Sequence, residues 1–121
     1  MKVTYIKLLE REYPLCFSLS AYEEAVETFG STENLYAALT SENEAEIVRG
    51  LKTILPILMK AGRIYAKAIG EQAPPELPCN PADVIDARDP ASLLAIFSAI
   101  KNDGNRSVET VPKNGEATPE P

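Results

Sequence analysis

Apolar residues follow two different rhythms along this chain, a period of two at the start and a mixed period of three and four afterwards. Residues 2–9, Lys-Val-Thr-Tyr-Ile-Lys-Leu-Leu, are rich in β-branched and aromatic types and predict a strand. Residues 13–19 place Tyr13, Leu15, Phe17 and Leu19 at alternate positions, on one face of a second strand. The charged segment Glu10-Arg11-Glu12 is short enough to turn between them, although it lacks the Asn-Gly type of signal. Pro14 cannot donate a ladder hydrogen bond, which predicts an edge position. An isolated hairpin is marginal in water, so this one must lie on helices, on further strands or on a copy of itself.

From residue 20 the rhythm becomes helical. Ser20-Ala21-Tyr22-Glu23 has the form of a capping box, in which serine and glutamate each satisfy a backbone N–H of the other. The helix it opens runs to Phe29, with Ala21, Ala25, Val26 and Phe29 inward and Gly30 as its left-handed stop. Ser31 or Thr32 caps a short second helix through Leu35, Tyr36 and Leu39, and Ser41-Glu42-Asn43-Glu44 is a second capping box.

The main element spans residues 42–69. Val48, Leu51, Leu55, Leu58, Gly62, Tyr65 and Ile69 recur at spacings of three and four. Ile47, Ile54, Ile57 and Ala61 broaden that face, so the helix meets more than one neighbour. Pro56 lies inside it, removing the N–H that would bond the Lys52 carbonyl and predicting a kink near 52–55 or a break. Gly50 and Gly62 lower helix propensity by about 1 kcal/mol each relative to alanine, and small residues there permit close packing.

Gly70 ends the helix, and residues 71–80 are a proline-rich extended connection. Asn80-Pro81 and Asp89-Pro90 each join a capping residue to a proline at the first helical position. The first starts a turn or two. The second starts a helix to about Lys101, with Leu93, Leu94, Phe97 and Ile100 apolar. Beyond it, residues 102–121 hold only Val108 and Val111 as sizeable apolar side chains, too few to offset the entropy of ordering, and are expected to be a disordered tail. The predicted fold is α+β and mostly helical: an N-terminal β-hairpin followed by a small helical bundle in one domain, 1–101, with the tail at 102–121.

Charge narrows the function. The net charge of −6 opposes binding to a phosphate backbone or an anionic membrane surface, and no basic stripe reverses it locally. Lys52, Lys60, Arg63 and Lys67 read as the solvated face of the long helix. Histidine is absent, which removes the commonest general base and most zinc or haem sites. Cys16 and Cys79 are far apart and lack CxxC spacing, so a metal or redox pair is not indicated, and Cys16 in its apolar run reads as a buried thiol. Residues 1–5 do not have the form of a signal peptide, and the longest apolar stretch, 54–59, is too short to cross a bilayer. The expected location is the cytoplasm.

Candidate chemistry is sparse. Glu42, Glu44 and Glu46 lie two apart and favour the dipole of a helix start rather than a cation site. Asp83, Asp86 and Asp89 lack the calcium-loop pattern with its glycine, and two of them are explained as neighbours of capped turns. Glu23 has a capping role, which weighs against pairing it with Glu24 as a catalytic carboxylate. Serines 18, 20, 31 and 41 sit at helix starts without a base, and the five tyrosines do not interleave with basic residues. No catalytic residue, cofactor or metal is expected. One feature stands out: the helices 42–69 and 90–101 carry more apolar side chains than a hairpin and two short helices can cover. Ile57, Met59, Tyr65, Ile69 and Phe97 are the residues expected to remain partly exposed and to bind a partner protein or a second copy.

The run Arg11-Glu12-Tyr13-Pro14-Leu15-Cys16-Phe17-Ser18-Leu19-Ser20-Ala21, then Glu23 and Glu24, then Phe29-Gly30-Ser31-Thr32-Glu33-Asn34-Leu35, resembles phage and prophage tail assembly chaperones of Gram-positive siphophages. Those often open with a hairpin, a short helix and a Gly-containing turn into the next helix. The resemblance covers about residues 2–40, with Glu10-Arg11-Glu12 in place of the usual Asn-Gly turn. It implies a non-enzymatic protein that binds the long tape measure protein, and tail tube subunits, in the host cytoplasm and is absent from the finished virion. The alternative is a self-assembling structural or regulatory prophage protein, a tail or head component that pairs through its hairpin. A third reading, an acidic mimic of DNA, needs rows of exposed carboxylates, several of which are already assigned to caps.

Overall fold

The computed structural model describes residues 2–101 and 106–107. Strand β1, Lys2–Leu8, turns back into β2, Arg11–Leu15, in antiparallel register with Ile6 opposite Tyr13 and Leu8 opposite Arg11. The turn is Leu9-Glu10, not Glu10-Arg11-Glu12. Both residues have positive φ, 52° and 66°. A two-residue turn of this hand matches the right-handed twist of the strands, and here it is built without the usual Asn or Gly. Tyr13 and Leu15 are buried, as expected, with Thr4, Ile6 and Leu8 of β1, but Val3, Pro14 and Cys16 between and beside them are buried as well, so the end of β2 is covered on both faces. The strand stops at Leu15. Phe17 is half-buried beyond the strand, and Leu19 opens the next helix and stands 85% exposed, so the predicted four-residue face is only two residues long.

Helix α1, Leu19–Phe29, starts one residue before the expected cap. Ser18, in extended backbone, accepts from the Ala21 N–H at 3.2 Å, which places Ser20 inside the first turn and leaves the Ser20–Glu23 box unformed. Gly30 closes the helix at φ 100°, and Ser31 caps α2, Thr32–Leu39, by accepting from Asn34 N–H at 3.0 Å. Helix α3, Glu44–Ala68, is capped by Asn43, whose side chain accepts from Glu46 N–H. Ser41 supports that cap from outside, donating to the Glu46 carboxylate and accepting from Asn43 N–H.

Helix α3 does not break at Pro56. The carbonyl that Pro56 orphans, that of Lys52, accepts from Asn80 Nδ2 at 3.4 Å. Asn80 also caps the single 3-10 turn Pro81–Val84 through its Oδ1, at 2.8 Å from Ala82 N–H. One side chain therefore joins the proline-rich connection to the weak point of the helix. Helix α4, Pro90–Lys101, begins at Asp89, whose carboxylate accepts from Ala91 N–H and from the Ser92 hydroxyl, both at 3.0 Å.

The sheet has the order β2-β1-β3, where β3 is the two-residue strand Arg106–Ser107 antiparallel to the start of β1. The expected disordered tail otherwise lies outside the described residues. Helix α3 packs on β2 and α4 on β1, while α1 and α2 pack on α3. The contact of α3 with β2 is backbone against backbone: Cys16 N–H donates to the Leu58 carbonyl at 3.2 Å, and a Cβ on Gly62 would stand 1.9 Å from the Pro14 carbonyl oxygen. Gly50 meets side-chain atoms of Leu39 and Ala38 of α2, less tightly. Pro14 thus lies on an edge strand, as expected, and its outer edge is covered by α3. The core gathers Ile6, Leu15, Leu35, Ile54, Leu58 and Ile96 from five elements.

Candidate partner-binding surface

The five residues expected at a partner surface separate into two groups. Ile57 and Met59 are only 6% and 7% exposed, which corrects the expectation that they stay open. They border a cleft whose other wall includes Leu77 and Pro81, so the proline-rich connection covers a side of α3 that the hairpin and short helices leave bare. Tyr65, Ile69 and Phe97 are half-buried. The aliphatic side chains that do stand in solvent are others: Leu9 in the hairpin turn, Leu19, Val48, Ile64 and Leu94. Ile64 continues the line of Ile57 and Ala61, a signal present in the sequence. Leu94 is turned outward because α4 seats Ser92, Ala95, Ile96, Ala99 and Ile100 against its neighbours.

Of these exposed residues, Leu9 and Leu94 line a hollow between β1 and α4, while Val48 and Ile64 lie in two grooves along α3. The first, of about 430 Å³, lies between the front half of α3 and α4 and is walled by Ile47, Val48, Leu51, Leu55, Ile85 and Leu93. Glu44 and Lys52 are its charged members, of opposite sign. The second, of about 690 Å³, runs along α1 and the rear half of α3. Its sides are small residues, Ser20, Ala21, Ala61 and Ala68, with Ile64 and Tyr65 between them. Ile57 reaches the same groove, so two of the five expected residues meet there. Met59, Ile69 and Phe97 line neither groove.

Electrostatics distinguish the two. The α1 wall of the second groove bears Glu23, Glu24 and Glu27. Lys60 Nζ lies 2.9 Å from Glu24, while Glu23 and Glu27 make no ion pair among the described residues. Nearby, Arg63 is 3.6 Å from Glu76. These exposed pairs contribute at most about 1 kcal/mol each, and what they decide is the sign of the rim, which is negative.

A reactive group is not built into either groove. Burial pushes the Cys16 thiol up to about 11, away from the thiolate form that reacts. Cys79 is a free, exposed thiol. Among the described residues no three Asp, Glu or Cys side chains converge as a metal site would require. Between β1 and α4, the Thr4 hydroxyl is buried with no hydrogen-bond partner among the described residues, a cost of about 1–3 kcal/mol. No helix among the described residues is long and apolar enough to cross a membrane. No protein-family model, curated protein or solved structure matches the chain.

Proposed function

We propose that this protein is a non-enzymatic phage or prophage tail assembly chaperone, which holds tape measure protein or tail tube subunits in the host cytoplasm during assembly and does not enter the mature virion. The observation that carries the reading is the build of residues 2–40. The segment with the resemblance forms one hairpin–helix–helix unit, and its apolar positions Tyr13, Leu15, Ala21 and Leu35 are buried together. Open apolar grooves on the helices support a role in holding a helical client, since an amphipathic helix fits such a groove with its apolar stripe. The second reading, self-assembly through the hairpin, is weakened by the cover of α3 on β2 at residues 14–16, which leaves a second copy only the first two residues of that strand's edge.

The test is co-expression with the longest coiled-coil-type protein encoded beside its gene. The expected result is that this partner becomes soluble and co-elutes only when the chain is present. A partner that stays insoluble, together with regular assemblies of the chain alone, would overturn the proposal in favour of a structural subunit.

A further inference from the structure

We infer that the groove between α1 and α3 is a docking site for a basic amphipathic helix of a partner protein. The inference rests on the preceding reading only in taking the partner to be helical. Its geometry is that of a bundle with one member missing. Two helices packed on each other leave a trough, and a third helix lies in such a trough if the side chains lining it are small enough for a close approach. Here Ser20 and Ala21 on one side and Ala61 and Ala68 on the other keep it open, and Ile64 stands 62% exposed within it. Helix α1 has 11 residues, so the trough accepts about three turns of helix, an occupant of about 11–14 residues.

Charge selects the occupant. Glu23 and Glu27 are one helical turn apart on the rim, and neither is neutralised among the described residues. A second copy would bring the same acidic rim and a net charge of −6 against this one. The chain's own residues 108–121 hold three glutamates and one lysine and are likewise repelled. A foreign helix with an Ala/Leu stripe flanked by Lys or Arg satisfies both the apolar floor and the rim. The groove between α3 and α4 has no such bias, since Glu44 and Lys52 offset each other there.

The experiment is fluorescence anisotropy of the full chain with a labelled amphipathic peptide of about 14 residues, bearing an Ala/Leu stripe and Lys/Arg flanks, beside a twin with Glu in place of the basic residues. The basic peptide is expected to bind, more weakly as salt rises, and the acidic twin is not. Ile64→Asp and the double variant Glu23→Lys/Glu27→Lys should each weaken binding at least tenfold, and Val48→Asp in the other groove should not. All four positions are exposed, and unchanged circular dichroism verifies each fold. Equal binding of both peptides, loss through Val48→Asp instead, or a dimer of the chain that Ile64→Asp dissolves would each overturn the inference. A tape measure protein kept soluble by the Ile64→Asp and double variants as well as by the parent chain would refute the groove and leave the chaperone reading standing. Specific peptide binding with no effect on tape measure solubility would do the reverse.

Discussion

Adding a single methyl group at Gly62 tests the fold at its tightest point. In an open helix, Gly→Ala stabilises by about 1 kcal/mol. At Gly62 the new Cβ would meet the Pro14 carbonyl oxygen at 1.9 Å, the Pro14 carbonyl carbon at 2.4 Å and Leu15 N at 2.9 Å. All three are backbone atoms of β2, with no rotamer to move aside. Contacts below 3.0 Å are not tolerated, so strand and helix must part by about 1 Å. Overpacking of this kind costs about 1–3 kcal/mol even where side chains can adjust. Separation also loosens the Cys16 N–H bond to Leu58, worth about 1 kcal/mol. After subtracting the helix gain, Gly62→Ala should destabilise by about 1–3 kcal/mol. That is a large part of a total of about 5–15 kcal/mol. Gly50→Ala is the control. Its Cβ would meet the end of the Leu39 side chain at 3.1 Å and Ala38 Cβ at 3.4 Å, contacts that a small rotation relieves. It should lie within about 1 kcal/mol of the parent. Urea unfolding followed by far-ultraviolet circular dichroism measures both. A Gly62→Ala protein as stable as the parent, or more so, would refute the seating of β2 on α3.

The hairpin turn offers a gain rather than a loss: Leu9 and Glu10 hold positive φ, a strain of about 1 kcal/mol or more per residue. Leu9→Asn with Glu10→Gly should therefore raise the urea midpoint, the lost Lys7–Glu10 pair at 3.8 Å being exposed and weak; an unchanged or lower midpoint would refute the turn. The two thiols should differ in reactivity, with Cys79 labelled by a thiol reagent in the folded protein and Cys16 only on unfolding. Because burial raises the Cys16 thiol from 9.0 to about 11 in the folded state, the unfolded chain ionises first. Stability should hold below pH 9 and fall between pH 9 and 11, and Cys16→Val should lack that part of the slope when the two proteins are compared.

The sequence made the elements legible where one rhythm had one explanation. Period two gave the hairpin, the three-four spacing gave α3, and Asn-Pro and Asp-Pro marked the starts of the 3-10 turn and α4. It was ambiguous where two neighbouring residues can do the same work. Ser18 and Ser20 are both good caps, as are Ser41 and Asn43, and the choice depends on where the chain leaves β2 or α2 rather than on the residues themselves. The turn was misplaced because its backbone demands Asn or Gly and the chain supplies Leu-Glu. Register set by the buried pair Ile6 with Tyr13, and by Leu8, buried opposite an exposed Arg11, overrides the local preference.

The candidate surface was the least legible, for a reason that Pro56 and Asn80 make concrete. Periodicity tells which residues of α3 share a face, but not what covers that face. The proline-rich connection carries few apolar side chains and reads as a linker, yet Asn80 ties it to the carbonyl that Pro56 leaves open. Once tied, it brings Leu77 and Pro81 beside Ile57 and Met59. A proline that sequence reasoning treats as a helix defect thus has a tertiary use: it frees an acceptor at the position where the returning chain needs an anchor. The pairing that holds this connection beside Ile57 and Met59 spans 28 residues, a separation that no local pattern reports. Ile64, one turn beyond Ala61, lies outside the cleft that the returning segment borders and keeps its exposure. The boundary between core and binding surface on α3 is therefore set by where the connection docks, and the acidic α1 beside Ile64 decides what the surface can accept.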